Sequence, residues 1–528
     1  MAGDPPTCVP HLLSSGPPLA DRSPSSAARA SAFGGSRQLV EPERRMSGIR
    51  PALQWPAGHA GRPSTGGGTT PLIHQGLRMH FMGIGGIGMS GLASICLERG
   101  CLVSGCDAKL NGTSVRLQAR GATIALGHDA GHLETDLVVY SSAVSREEPE
   151  LRQAAARGLR VMSRGELLAA LAKEHHLVAV AGAHGKTTTS GLASQLLLQA
   201  GWDPTIVVGG IVLSLGTNAR AGGGTYLVAE TDESDGSFLH VFPRIAIVTN
   251  VDREHLNHYQ TFERLIAAFE QFVGQIRPGG TLIRCSDDPV IRQRLTARSM
   301  MNYGFGPGAD VTAESVRLAG HGSIFRAAYR GRRLGTFALP LPGRHNVLNA
   351  LAVISLGLVL DLPLATIREA LVRFKGTGRR FQVFRLPRDI WLIEDYAHHP
   401  AEIQATLAAD AVSDRHRVVV FQPHRFTRTH TLERELTACF DRADGLIVTD
   451  IYSAFEPPIP GVSGERLANL IKAHGHPCVR YVPKPELPSY VRRIAQPGDT
   501  IFFLGAGDIG DVCHDLAAQL RATARAAG

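Results

Sequence analysis

The chain has 528 residues, 44% of them hydrophobic, with mean hydropathy near zero and a net charge of +8. That length exceeds one ordinary core and suits roughly three domains of about 150 residues each. The composition excludes collagen-like, coiled-coil and wholly disordered chains.

The longest apolar stretch, residues 347–360, contains Asn349 and Ser355 and falls short of the ~20 residues a membrane helix needs. No membrane insertion is expected, and no signal peptide is visible. Eight cysteines without a CxxC pair make neither a disulfide framework nor a zinc site by spacing. Cys96, Cys101 and Cys106 read as small apolar packers, and a reducing cytoplasm is the expected location.

Residues 1–77 form a stretch rich in Gly, Pro, Ser and Ala without hydrophobic periodicity, predicted to be disordered. Residues 1–78 hold eight arginines, no lysine and four acids, hence half of the net +8. A transit peptide, a dispensable tail and a reading frame opened too early all fit this segment. The basic pI of 9.2 invites a nucleic-acid reading, but this distribution weakens it.

Three strand-and-glycine turns follow in order. At Arg78-Met-His-Phe-Met, alternating apolar residues run into Gly83-x-Gly85-x-x-Gly88, a helix, and a second strand closed by Asp107, 19 residues after Gly88. This is a dinucleotide-type fingerprint: glycines allow close backbone approach, a helix N-terminus holds a diphosphate, and the acid suits a ribose. The second turn, Gly182-Ala-His-Gly-Lys186-Thr187-Thr188, follows a buried strand. It is two residues shorter than the strict phosphate loop, yet backbone N–H groups, Lys186 and the Thr187 hydroxyl supply the same chemistry toward phosphates and Mg²⁺. Strands near 226–229 and 245–249 end in Glu230-Thr-Asp-Glu-Ser-Asp and Asn250-Val-Asp-Arg-Glu-His255. Strand C-termini gather at the ligand crevice, which places Glu230 and His255 for a metal near Thr187. After the basic hinge Gly376-Thr-Gly-Arg-Arg-Phe, strands and helices alternate up to a second GxGxxG, Gly505-x-Gly507-x-x-Gly510. Two such motifs in one chain argue against reading either as NAD-specific. The predicted class is α/β throughout, with a Rossmann-like domain over 78–176, a central P-loop domain over 177–376 and a Rossmann-like C-terminal domain over 377–528.

From about residue 79 to 510 the chain resembles the Mur ligase family of peptidoglycan synthesis. The resemblance rests on an ordered series that includes His80-Phe-Met-Gly-Ile-Gly-Gly-Ile-Gly-Met-Ser, Gly182-Ala-His-Gly-Lys-Thr-Thr-Thr and Leu341-Pro-Gly-Arg-His-Asn. It continues through Asp395-Tyr-Ala-His-His-Pro, Gln422-Pro-His-Arg-Phe-Thr-Arg and Gly505-Ala-Gly-Asp-Ile-Gly. It implies a three-domain ligase with ATP and Mg²⁺ as cofactors, joining an amino acid to a UDP-sugar through an acyl phosphate. The branch that adds L-alanine to UDP-N-acetylmuramate fits best. Sister ligases carry a carbamoylated lysine on Mg²⁺, and no lysine lies between Lys186 and Lys375.

The implied site has Gly85, Gly86, Ile87, Gly88, Asp107, Ser141 and Ser142 on the UDP side. ATP falls to Gly182, Ala183, His184, Gly185, Lys186, Thr187 and Thr188, with His345, Asn346 and Asn349 at the adenine and Asp395 at the ribose. Thr187, Glu230 and His255 are the metal candidates. Lys186, Arg380 and His398 are the catalytic ones, with Arg379 as a substitute for Arg380. Arg425 and Arg428 suit the amino acid's carboxylate. Ala183, Thr231, Asn257 and Glu394 depart from the usual family residues without removing a required charge. A monomer or weak homodimer is expected, with no nucleic-acid partner. The alternatives are a murein-recycling ligase adding a peptide to the same sugar nucleotide, an NAD-dependent oxidoreductase and a nucleic-acid-binding ATPase. The oxidoreductase leaves the Lys186 loop, Glu230 and His255 without work, and the nucleic-acid-binding ATPase lacks any RNA or DNA motif.

Overall fold

The computed structural model describes residues 72–319, 322–409 and 415–526. The expected disorder of the N-terminal extension lies outside them up to residue 71. Residues 72–77 already pack: Ile73 is buried, and Gly76 N donates to Gly100 O at 2.9 Å.

Three sheets organise the chain. The first has five parallel strands in the spatial order Thr123–Leu126, Leu102–Asp107, Arg78–Met82, Leu137–Tyr140 and Arg160–Ser163. Its order reverses beside Arg78–Met82, the strand that feeds the first glycine turn, which is where an open α/β sheet leaves a ligand crevice.

The second sheet has ten strands, with His176–Ala181 between Ile245–Val248 and Tyr226–Glu230. Its parallel part is covered on both faces, so Leu177 to Ala181 are all fully buried and read as one apolar run. The α/β core carries antiparallel additions at both edges of this sheet. Val311–Ala319, Gly322–Tyr329 and Arg332–Leu339 form a meander at one, and Thr217–Arg220 runs antiparallel to Thr205–Val212 at the other. The apolar stretch that stood out in the sequence is the helix Arg344–Val359, buried nearly all round. Among the described residues, no helix is long and apolar enough to cross a membrane.

The third sheet runs in the order Gln382–Leu386, Ile390–Asp395, Thr500–Leu504, Arg417–Phe421, Gly445–Val448 and Val479–Tyr481. Only its first strand is antiparallel to its neighbour.

The sheets are tied together at few points. Asn218 Nδ2 donates to Ile87 O at 2.7 Å, and Arg164 Nη2 donates to Asp232 Oδ2 at 3.1 Å, joining the first domain to the central one. The basic hinge is pinned to the central sheet by Leu213 N to Gly376 O at 3.0 Å and Gly378 N to Ile211 O at 2.8 Å. Arg379 then turns into the C-terminal domain, donating to Gly505 O at 2.9 Å and Gly507 O at 2.7 Å and pairing with Glu394 at 3.0 Å. His184 of the glycine-lysine loop reaches Asp252 Oδ2 within its own domain at 3.0 Å and, across the cleft, Glu402 Oε1 at 3.1 Å.

Burial would lower the His184 imidazole, but the hydrogen bonds to Asp252 and Glu402 outweigh it and push it up to about 10. A raised imidazole pKa means that the ion pair is complete below the ordinary value near 6.5 and is lost as pH rises through about 10. The difference in thermal midpoint between the wild type and His184→Asn should therefore shrink steadily from pH 7 to pH 10. A difference that stays constant over that range contradicts the latch.

Candidate active site between the central and C-terminal domains

The loop after His176–Ala181 is shaped by what surrounds it. Gly182 has φ 132°, and a Cβ there would lie 2.1 Å from Thr249 Oγ1, so no larger residue fits. Ala183 N and His184 N donate to Asn250 O at 3.1 Å and Asn250 Oδ1 at 2.7 Å. The loop is thus held by the residues that follow Ile245–Val248. It opens through Gly185, at φ 80°, into the helix Lys186–Gln199, whose first turn of backbone N–H groups faces any anion placed at its start.

Lys186 is folded into this loop. Its Nζ donates to Gly182 O at 2.6 Å, Ala183 O at 3.2 Å and Glu233 Oε1 at 2.8 Å. Burial works against the ammonium, but Glu233, Asp232 and Glu230 together hold its pKa above the usual lysine value. Thr187 Oγ1 donates to Glu230 Oε1 at 3.2 Å, and Glu230 Oε2 accepts from Gly209 N at 2.7 Å. His255, at φ 58°, lies instead on the other carboxylates, 3.5 Å from Glu233 Oε1 and 3.6 Å from Glu254 Oε2. The three expected metal residues thus split: Thr187 pairs with Glu230, while His255 lies against Glu233 and Glu254.

Glu233 was not singled out from the sequence, although it stands within the quoted acidic run. It is 1% exposed, and its Oε2 has no hydrogen-bond partner. Glu254 Oε1 is likewise without one, in a group with His184 and His399 whose ligand atoms lie within 4.8 Å of one another. Buried carboxylate oxygens without donors fit a hard divalent cation such as Mg²⁺.

The nucleotide-side residues are partly committed to the scaffold. Asn349 Oδ1 accepts from Thr189 Oγ1 at 3.2 Å and sits where a Cβ on Gly185 would come within 2.6 Å. Asn346 Nδ2 donates to Pro342 O at 2.7 Å. Asn349 therefore joins the helix Arg344–Val359 to the loop, and Asn346 braces it by accepting from Asn349 Nδ2 at 3.3 Å. His345 is driven down to about 4 by burial, so it is a neutral ring. Asp395 accepts from Phe381 N and Ala397 N, both at 2.8 Å. Its two oxygens hold the hinge, and burial pushes it up to about 6 although Arg380 opposes this.

Across the cleft, Arg380 lies with its guanidinium 4.8 Å over the Tyr396 ring and 4.0 Å from Glu402. Arg379 lies over the same ring at 4.9 Å, but its hydrogen bonds and ion pair go to Gly505, Gly507 and Glu394, whereas Arg380 approaches Glu402. His398 Nδ1 lies 2.9 Å from Tyr396 O, and its ring is 5.5 Å from that of His424. Burial holds His398 well below its usual value and His424 down to about 3, with Arg428 adding to both. Arg428 Nη1 lies 3.1 Å from His424 Nδ1. Arg425 occupies the turn before Phe426–Thr431 at φ 70°, with its N donating to Tyr452 O at 2.8 Å. Arg425, Arg428, His398 and His424 thus share one wall.

The first glycine turn belongs to the first domain, and Arg164 links it to Asp232 beside Lys186. Gly86 and Ile87 are exposed at the start of the helix Ile87–Glu98. Asp107 is turned inward, accepting from Gly85 N at 2.9 Å and Lys109 N at 3.2 Å, so it fixes the turn rather than standing free for a ribose. Ser141 Oγ accepts from Ala143 N at 3.3 Å, and Ser142 is exposed. Arg164, which carried no sequence motif, lies against the turn: a Cβ on Gly88 would be 3.1 Å from its Cδ. The second GxGxxG is filled by protein. Cβ atoms on Gly507 and Gly510 would meet Gln422 at 2.4 Å and Glu394 at 2.1 Å, which leaves no space there for a dinucleotide.

This arrangement has known counterparts. Residues 78–176 match the Mur ligase family catalytic domain, 180–357 the Mur ligase middle domain, and 379–507 the domain described as Mur ligase, glutamate ligase domain. The UDP-N-acetylmuramate–L-alanine ligase of Sorangium cellulosum is 48% identical over 452 residues, which is 84% of this chain and 96% of that protein. The crystal structure of the UDP-N-acetylmuramate–alanine ligase of Thermotoga maritima superposes with a TM-score of 0.75 at 29% identity, covering 85% of this chain and all of that one. A murein peptide ligase from Psychrobacter arcticus shares the fold, with a TM-score of 0.64 at 24% identity over 84% of this chain and 99% of its own. With all three domains matched in order, this chain belongs to the Mur ligase family.

Proposed function

We propose that this chain is an ATP-dependent ligase that joins L-alanine to the lactyl carboxylate of UDP-N-acetylmuramate, an early step of peptidoglycan precursor synthesis. The observation that carries the reading is the convergence of two domains on one cleft. Lys186, Thr187, Glu230 and Glu233 stand on one side and Arg380, His398 and Arg428 on the other, bridged by the His184–Glu402 contact. The alanine ligases among the relatives match this chain at up to 48% identity over 84% of its length.

Joining a carboxylate to an amine in water requires a better leaving group than hydroxide, and phosphoryl transfer from ATP to the carboxylate supplies it. Two anions must then meet, which makes positive charge the main requirement of the site. A triphosphate entering the loop offers Lys186 phosphate oxygens in place of Gly182 O, Ala183 O and Glu233. Glu233 and Glu230 are then free to face a cation together with Thr187. Bound there, Mg²⁺ would neutralise phosphate charge. Arg380 lies beyond the pinned hinge, where it reaches the transferring phosphoryl group from the opposite side. Arg425 and Arg428 offer planar forks to the carboxylate of the amino acid. His398 is neutral and weakly basic, so it orients the attacking amine through a ring nitrogen more readily than it stores the amine's proton.

Release of ADP with UDP-N-acetylmuramate and each amino acid in turn tests the substrate. L-Alanine is expected to stimulate release most strongly. Stimulation by a tripeptide in place of alanine would make the chain a recycling enzyme. Lys186→Ala is expected to abolish ligation while leaving UDP-substrate affinity nearly intact, and Arg380→Ala to lower kcat about 10²-fold or more. Loss of UDP-substrate binding in the first, or a change confined to KM in the second, would contradict these roles.

A further inference from the structure

Away from the cleft, the first domain buries a group of metal-binding side chains that no step of the ligation uses. His80 projects from Arg78–Met82, Cys106 from Leu102–Asp107, His132 from the short helical turn Ala130–His132, and Glu150 from the helix Pro149–Ala156. We propose that His80, Cys106, His132 and Glu150 form a structural site for a borderline-soft divalent metal, zinc foremost.

Three observations carry this inference. The first is distance. One ligand atom from each residue lies within 4.8 Å of every other. His80 Nε2 is 3.4 Å from Cys106 Sγ and 3.0 Å from Glu150 Oε1. Cys106 Sγ is 3.1 Å from Glu150 Oε2, and His132 Nδ1 is 3.6 Å from Glu150 Oε1. Tetrahedral zinc bonded to nitrogen, oxygen and sulfur at its usual lengths spaces its ligands about 3.3–3.6 Å apart. The four distances, from 3.0 to 3.6 Å, lie within or just below that range.

The second observation is polar satisfaction. Glu150 is fully buried, and its Oε1 is without a well-aligned hydrogen-bond donor, with only the ion-pair approach of His80 Nε2 at 3.0 Å. His132 Nδ1 is buried and also without a partner. Both atoms point into the same small volume. A carboxylate oxygen left this way inside a domain costs free energy that a cation would recover.

The third is orientation from outside the group. His80 Nδ1 lies 2.9 Å from Ser104 Oγ, its cross-strand neighbour, which directs Nε2 toward Cys106 and Glu150. A partner on the second ring nitrogen is the usual mark of a ligating histidine. His128 Nδ1, 3.0 Å from the sulfur and 3.5 Å from Glu150 Oε2, would support the thiolate that metal binding creates. The walls are apolar, formed by Met82, Leu133, Val138, Leu151 and Ala154. The donor set of one sulfur, two imidazoles and one carboxylate suits zinc and disfavours Mg²⁺. Four protein ligands leave no open position, which marks a structural rather than a catalytic metal.

Binding replaces the thiol proton of Cys106, which is released to solvent, by the metal–sulfur bond. The site also bears on the nucleotide turn, because Cys106 O accepts from Gly83 N at 2.8 Å and Ile84 N at 3.2 Å. Fixing the Cys106 sulfur therefore stiffens the strand end on which the first glycine turn rests.

The test is a Co²⁺ titration of the full-length chain after chelator treatment, followed by displacement with Zn²⁺. One equivalent of Co²⁺ should produce a thiolate-to-cobalt charge-transfer band that Zn²⁺ abolishes, and Zn²⁺ should raise the thermal midpoint. Cys106→Ser should lose the band, and His132→Ala, at the most exposed ligand, should weaken metal affinity at least about tenfold. His132→Ala keeps the test valid if the cysteine variant does not fold. Absence of the band in the wild type, its persistence in Cys106→Ser, or unchanged affinity in His132→Ala would each overturn the proposal.

Discussion

The structure depends on keeping one ammonium charged in a place that would otherwise neutralise it. Lys186 is buried at the end of an apolar strand, and three acids, Glu230, Asp232 and Glu233, hold its charge there. That ring of carboxylates poses a second problem, because it repels the very phosphates that Lys186 is placed to meet. A divalent cation would resolve it, and Glu233, whose Oε2 is without a hydrogen-bond partner, would help to hold it. The loop glycines, the Asn250 clamp and the Asn349 brace keep this arrangement in register.

The second half of the site comes from another domain, and the hinge explains how. Arg379 and Arg380 are neighbours of identical chemistry with opposite tasks. Arg379 is spent on Gly505, Gly507 and Glu394, fixing the C-terminal domain to the hinge. Arg380 faces the cleft. Asp395 belongs to the same device, since it holds Phe381 and Ala397 by their backbone N–H groups. The glycines of the second GxGxxG are needed because protein atoms press on them, which is a packing role with a nucleotide-like spelling.

Much of this was legible in the sequence because local physics dictates it. An apolar run ending in glycines, a lysine and threonines has few other uses than a strand, a tight turn and a phosphate. What was not legible depends on contacts between distant segments. The antiparallel meander at 311–339 alternates too irregularly to be told from βα repeats. Glu233 looked like one acid in a run, and its burial beside Lys186 is a tertiary fact. The His80–Cys106–His132–Glu150 group has no short spacing, since its members lie on four elements of one sheet and its cover. Reading Cys106 as an apolar packer accounted for its burial and missed its neighbours. The basic pI also changed meaning, as the arginines that count face carboxylates and sites for anions.

The central claim is that the carboxylate of the sugar nucleotide is activated by phosphoryl transfer in the cleft between Lys186 and Arg380. The most direct test is to run the reaction with ¹⁸O in the lactyl carboxylate and analyse the released phosphate by mass spectrometry. An acyl phosphate requires one ¹⁸O to move from the carboxylate into phosphate for each amide formed. Phosphate free of label, with amide formed at the normal rate, would contradict the account.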